Sequence, residues 1–330
     1  MHRPRSPAAR VLFAGTLLTG LAGPQSFAQV PPVSTPVQPN DWSVETVTVT
    51  ARSTGPAVWH VTKAGGDVAI LGIVDPIPKH FTWNTAPLAG LLDGASVLLL
   101  PPRAEANIFK GLWFLLTERD LLSPPDGKTL WDVLPAPLAS RFAVARDTLH
   151  QDKDRYDDDA PAVAALRLEG DFLRADAMTL EEPEDTIRSL ARTQGVEVRR
   201  VATYDALPSA EELLRLPPEA TSKCLDAAVS DVDIASKHAT PAAEAWAVGD
   251  VAGIKANYSQ PRIYNCLLEL SPLVIALDKR AIDDTVSEVT ASLDKGGRAV
   301  AIVSIGLLLR KNGVLERLVA AGVTVAAPKE

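Results

Sequence analysis

The chain has 330 residues, of which 46% are hydrophobic and 22% charged, enough to bury a sizeable core in a soluble globular protein. Its formal charge is −8, and three of its cations, Arg3, Arg5 and Arg10, fall in the first ten residues, leaving −11 for the rest. Binding to nucleic acid through counterion release needs a basic face, so this balance argues against a nucleic-acid partner.

The leading arginines precede the apolar run "VLFAGTLLTGLAG", and "QSFAQV" then places Ser26 and Ala28 at −3 and −1 of a cleavage point before Gln29. Residues 1–28 read as a secretory signal peptide whose apolar run is too short for the ~20 residues of a membrane span. No later segment reads as transmembrane, and no cysteine stands at the cleavage point to take a lipid. The expected product is a periplasmic or secreted protein, cut near Ala28–Gln29. Residues 29–45 form a linker, because the prolines of "VPPVSTPVQPND" remove backbone donors and no apolar period is present. The folded domain is expected over 46–330, opening on the alternating stretch "SVETVTVTAR".

"AVWHVTK", "AGGD" and "VAILGIV" predict a hairpin. "NTAPLAGLLDGA" predicts a short helix with Asn84 as N-cap, and "SVLLLP" a buried strand stopped by Pro101 and Pro102. From about 104 to 291 leucine and alanine recur at helical spacing, interrupted by one predicted strand at Val196–Val201. Within that stretch the acidic run "DKDRYDDDAP" lacks the glycine and closing glutamate of a calcium loop and reads as a solvated helix start. The C-terminal segment predicts a strand in "GGRAVAIVSIG", a helix in "NGVLERLVAAG" capped by Gly322, and a last strand in "VTVAAP". Strands at both ends of the chain must pair across the helical insert. The predicted fold is a mixed α/β domain, with one sheet from N- and C-terminal strands covered by helices. Cys224 and Cys266 are the only cysteines, and in an exported chain they are expected to form a disulfide.

Two strand ends, "AILGIVDP" and "AIVSIGLLLR", each run an apolar strand into glycine. With "WHVTKAGGDVAILG", Trp83, "EAWAVGD" at Glu244–Asp250, and Arg280, all in this order, the sequence resembles the TraB/GumN family, related to Tiki-type proteases and the erythromycin-esterase and ChaN-like folds. The resemblance covers nearly all of the mature chain. It implies a metal-dependent hydrolase or protease fold, with a GxxH motif at each of the two strand ends and a glutamate after the intervening strand. Carried onto this sequence, the first motif falls on Gly72, Ile73, Val74 and Asp75, with aspartate in place of histidine. The glutamate position falls on Pro101 or Pro102. The second motif falls on Gly306, Leu307, Leu308 and Leu309, with leucine in place of histidine, and Ala281 follows Arg280 where the family often has asparagine.

Activation of water by a cation needs imidazole or carboxylate ligands, and leucine and proline offer no side-chain lone pair. The resemblance therefore implies a cell-envelope protein with a degenerate site, a pseudoenzyme with a binding or structural role, with no cofactor expected and no metal ligands assigned. The ligand and the partner are not readable from the sequence, a cell-envelope protein being one candidate partner. The alternative is a divergent hydrolase using a divalent transition metal at a rearranged site around Asp75, with His80 and Glu105 as substitute ligands. A carrier of a small molecule or haem rests on fold analogy alone. In either main reading Asp75 and Leu309 are expected to meet at one edge of the sheet, because sites in open α/β sheets gather at the carboxyl ends of strands.

Overall fold

The computed structural model describes residues 55–328. The expected signal peptide, the expected linker and the strand expected in "SVETVTVTAR" lie outside the described residues. The main sheet has six strands: β1 (Val58–Lys63), β2 (Gly66–Ile73), β3 (Val97–Leu100), β4 (Glu197–Arg200), β5 (Gly297–Ser304) and β6 (Thr324–Ala326). Their spatial order is β6-β1-β2-β5-β3-β4. β1 runs antiparallel to both β6 and β2, while β2, β5, β3 and β4 are mutually parallel neighbours.

The central strands are near-continuous apolar runs because helices cover both of their faces. From Val68 to Ile73 every residue of β2 is buried, and so is every residue of β5 from Ala299 to Val303. β1 follows the half-buried alternation of a strand nearer the edge. The β1–β2 turn is made by Ala64 and Gly65, both at positive φ, as a two-residue hairpin loop requires. β2 and β5 pair over their full length, from Gly66 with Gly297 to Ile73 with Ser304. The chain ends are thus joined at the centre of the sheet, and the helical insert lies between them in sequence only.

Two separate two-stranded ladders join the insert to the segments that follow β2 and β3. Ile77–Pro78 pairs with Met178–Thr179, and Arg103–Glu105 pairs with Thr203–Asp205. Both ladders tether loops at the carboxyl end of the sheet to the insert. The insert also has its own apolar core, around Phe142, Tyr156, Leu168 and Leu225, distinct from the core that surrounds the sheet. The helix Pro218–Ala247 belongs to both: Cys224 to Ala239 face the helical core, and Ala242 to Trp246 face the sheet. The helix Ile108–Thr117 instead turns Ile108, Phe109, Leu112, Trp113 and Leu116 outward.

Three local expectations are corrected. The helix after Asn84 spans Ala86–Leu92 with Thr85 as its N-cap; the Asn84 side chain accepts from the Ala86 amide, one residue too early to cap. The last central strand stops at Ser304, and Ile305–Leu309 forms a helical turn, so Gly306 and Leu309 lie on helix. The acidic run is only partly solvated. Its Asp159 and Tyr156 are buried, Asp159 facing Arg167 and Tyr156 donating to Asp171, so this stretch anchors the helical core.

Cys224 and Cys266 are brought to disulfide distance, with Cα atoms 5.4 Å apart, joining Pro218–Ala247 to Arg262–Leu270. Among the described residues no helix is long and apolar enough to cross a membrane.

Candidate functional site

The parallel register places the carboxyl ends of β2, β5 and β3 along one edge. Ile73 is opposite Ser304, and Leu98 and Leu99 are opposite Val300 and Ala301. The residues that follow these strands, Asp75, the turn Ile305–Leu309 and Pro101, therefore leave the sheet at the same side.

The two motif glycines are held there by packing. A Cβ on Gly72 would lie 2.6 Å from Ile305 Cδ1 and 3.1 Å from Leu308 Cδ2, because the turn after β5 folds back over β2. A Cβ on Gly306 would lie 3.1 Å from the Tyr258 hydroxyl. Two of the sequence markers, Trp246 and Trp83, meet at Gly72. Trp246, from "EAWAVGD", donates its indole N–H to the Gly72 carbonyl at 2.7 Å and stacks edge-on against Trp83, ring centroids 5.0 Å apart. Asp250 of the same motif caps the helix Val251–Asn257 by accepting from the Gly253 amide. That helix ends at Tyr258 and so delivers its phenol to the edge.

Asp75 is the one ionisable group among the three motif positions. The residue is part-exposed, but its carboxyl lies deep enough in protein that desolvation pushes its pKa up from 3.8 to about 6. Tyr258 is buried, and its phenol is raised above its ordinary value, first by burial and then by the neighbouring Asp75 charge; its hydroxyl is hydrogen-bonded to the Ser304 side chain. Asp75, Tyr258 and Ser304 thus form a polar group at the edge. Around them the edge is apolar: Leu308 and Leu309 are 0% and 2% exposed, and Leu309 fills with hydrocarbon the position where the resemblance implies an imidazole. At the third position Pro101 presents only its carbonyl, which accepts from Arg200 Nη1 at 2.6 Å while Arg200 Nη2 pairs with Glu184.

The substitute ligands are engaged elsewhere. The His80 amide donates to Glu182 and its imidazole faces the same carboxylate, almost fully in solvent. Glu105 is exposed on the short ladder beside Arg103. Arg280 lies over the Tyr204 ring, 5.1 Å from its centroid, with Ala281 beside it on the same helix. Among the described residues no group of three His, Cys, Asp or Glu side chains is placed to hold a metal ion. The phenol and the hydroxyl can hydrogen-bond a polar group, and only the Asp75 carboxyl, with its pKa at about 6, can exchange a proton near neutrality. They do not supply the imidazole and carboxylate set a catalytic divalent cation requires, so the residues present do not fit that metal.

Of these groups, Tyr258, Ser304 and Arg200 were not legible in the sequence. Trp246 was visible within "EAWAVGD", but its partner was not.

In this architecture a mixed sheet pairs N- and C-terminal strands around a helical insert, with Gly72 near the end of β2 and Gly306 in the helical turn after β5 at one edge. The chain belongs to the TraB/PrgY/gumN family, whose profile matches residues 57–327. Neither a curated protein nor a solved structure matches it.

Proposed function

We propose that this protein is an exported, cell-envelope member of the TraB/PrgY/gumN family that has lost metal-dependent hydrolysis and serves as a binding module. The observation that carries the reading is Leu309, 2% exposed at a position where the resemblance implies a metal-ligating histidine. Burial of a leucine side chain stabilises by about 1.5–3 kcal/mol, so the exchange favours the fold once the ligand has no task. Pro101 and the tightly packed Gly72 and Gly306 support the same reading: the glycine positions are present while the ligand set is not. In this account the precursor is cut near Ala28–Gln29, and its partner is another component of the envelope.

A second reading, a divergent metallohydrolase centred on Asp75 with His80 and Glu105, draws on the elevated pKa of the Asp75 carboxyl. Elemental analysis of the protein purified without chelator, together with peptidase and esterase assays in added Mn²⁺, Co²⁺ or Zn²⁺, separates the two. The binding module gives substoichiometric metal and background rates. A stoichiometric metal with turnover lost in Asp75→Ala establishes the hydrolase instead.

A further inference from the structure

A cavity of about 920 Å³ opens among the helices Pro161–Ala175, Leu207–Leu214, Arg262–Leu270 and Pro272–Lys295. That volume lies near the upper end of the ~300–1,000 Å³ typical of small-molecule sites. Its walls are mainly hydrocarbon, with Leu213, Leu267, Val274 and Leu277 contributing from three of the helices. It lies next to the carboxyl edge of the sheet through Pro102 and is linked to it through Tyr264 and Asp278. Pro102, directly after the degenerate Pro101, lines it, and so does Tyr264, whose hydroxyl meets Asp278 as Asp278 pairs with Arg310, the residue after Leu309.

Two features of the wall go beyond an apolar void. Ser209 lines the cavity, is 7% exposed, and its hydroxyl has no hydrogen-bond partner. A buried hydroxyl left unpaired costs about 1–3 kcal/mol, which a ligand acceptor or donor would relieve. The cavity is also lined by Arg155, Arg167 and Arg174. Their carboxylate partners lie beneath them: Asp171, shared by Arg155 and Arg174, has a side chain 1% exposed, and Asp159, facing Arg167, one 7% exposed. The side chains of Arg155, Arg167 and Arg174 themselves remain 35%, 39% and 64% exposed. The charge accessible at this wall is positive on a chain of net −8. Asp278, the one acid in the lining, is occupied by Arg310 and Tyr264.

We infer that this cavity binds a single-chain amphiphile, its alkyl or acyl tail held by the leucine and valine wall and its anionic head facing the arginines. The inference rests on the binding-module reading and names the class of ligand that module takes. A guanidinium fork matches a carboxylate or phosphate head better than a point charge does. An apolar lining with a few convergent polar groups is the general composition of a small-molecule site.

The test titrates the full mature protein with dodecanoate, dodecyl maltoside and dodecyltrimethylammonium, each below its micelle concentration, by calorimetry and by displacement of a dansyl-labelled fatty acid. The expected result is saturable micromolar binding of dodecanoate, one per chain, with the neutral and cationic amphiphiles weaker by about tenfold or more. Ala210→Trp and Ala281→Leu fill the cavity from two different helices, so that one can serve if the other fails to fold; in the folded variant dodecanoate binding falls by about tenfold or more with the melting profile unchanged. Arg174→Gln weakens dodecanoate binding but not that of the maltoside. Absence of saturable dodecanoate binding to folded wild type overturns the inference, as does equal binding in the filled variants or no preference for the anion. Such a failure leaves the binding-module reading intact, because that reading falls only on the metal and turnover measurements.

Discussion

Trp246 donates its indole N–H to the carbonyl of Gly72, 174 residues earlier in the chain, and so ties the long helix of the insert to the central strand of the sheet. Both groups are buried, and the same indole packs on Trp83. Trp246→Phe keeps most of the ring contact but removes the donor, and is expected to lower stability by about 1–3 kcal/mol. Gly72→Ala is expected to cost about 1–3 kcal/mol by driving a methyl group into Ile305. The two changes share one neighbourhood, so the double variant should fall short of additivity. Denaturant unfolding of the set checks this; a Trp246→Phe protein as stable as wild type would mean the tie is unimportant.

The buried carboxyl of Asp75 makes a pH-dependent contribution whose sign follows from its shift. Its pKa in the fold, about 6, is above its ordinary 3.8, so the native state holds the proton more tightly than the unfolded chain does. The contribution of this group is most favourable below about pH 4, declines as pH rises to about 6, and stays unfavourable above that. Asp75→Asn mimics the protonated form. It should match wild type near pH 4 and be more stable by about 1–3 kcal/mol near pH 8. Unfolding curves at the two pH values decide it, and a variant less stable than wild type at about pH 8 would contradict the assignment.

The Cys224–Cys266 pair closes a loop with a sequence separation of 42 inside the helical core. On the chain-entropy account a cross-link over that length stabilises by about 4 kcal/mol, and the Cys224→Ala, Cys266→Ala double variant should lose roughly that much. Intact mass before and after reduction should differ by two hydrogens for natively purified protein. Two thiols that alkylate without reductant would remove the bond from the account.

The centre of the sheet was legible in the sequence because β2, β3 and β5 are short apolar runs punctuated by Gly65, Pro101 and the Gly296–Gly297 pair. The turn Ile305–Leu309 was not, since "SIGLLLR" is as apolar as the strand before it and periodicity over five residues cannot separate strand from helix. At the edge, Gly72, Asp75, Gly306 and Leu309 could be placed through the resemblance, but Tyr258 could not. It reaches Gly306 and Ser304 only through the way the helix Val251–Asn257 packs, and nothing in "KANYSQ" announces that. The two-core arrangement was hidden for a related reason. The helix Pro218–Ala247 is amphipathic toward one core along its first part and toward the other along its last, which blurs any single apolar stripe.

The central claim is that the strand-end edge, with Asp75, Pro101 and Leu309 at the expected ligand positions, no longer holds a catalytic metal. Calorimetric titration of the metal-stripped mature protein with Mn²⁺, Co²⁺ and Zn²⁺, run beside Asp75→Ala, tests it most directly. The account predicts no micromolar or tighter binding by wild type and traces indistinguishable from those of the variant. Binding at micromolar or lower concentration that disappears in Asp75→Ala would contradict it and establish the edge as a working metal site.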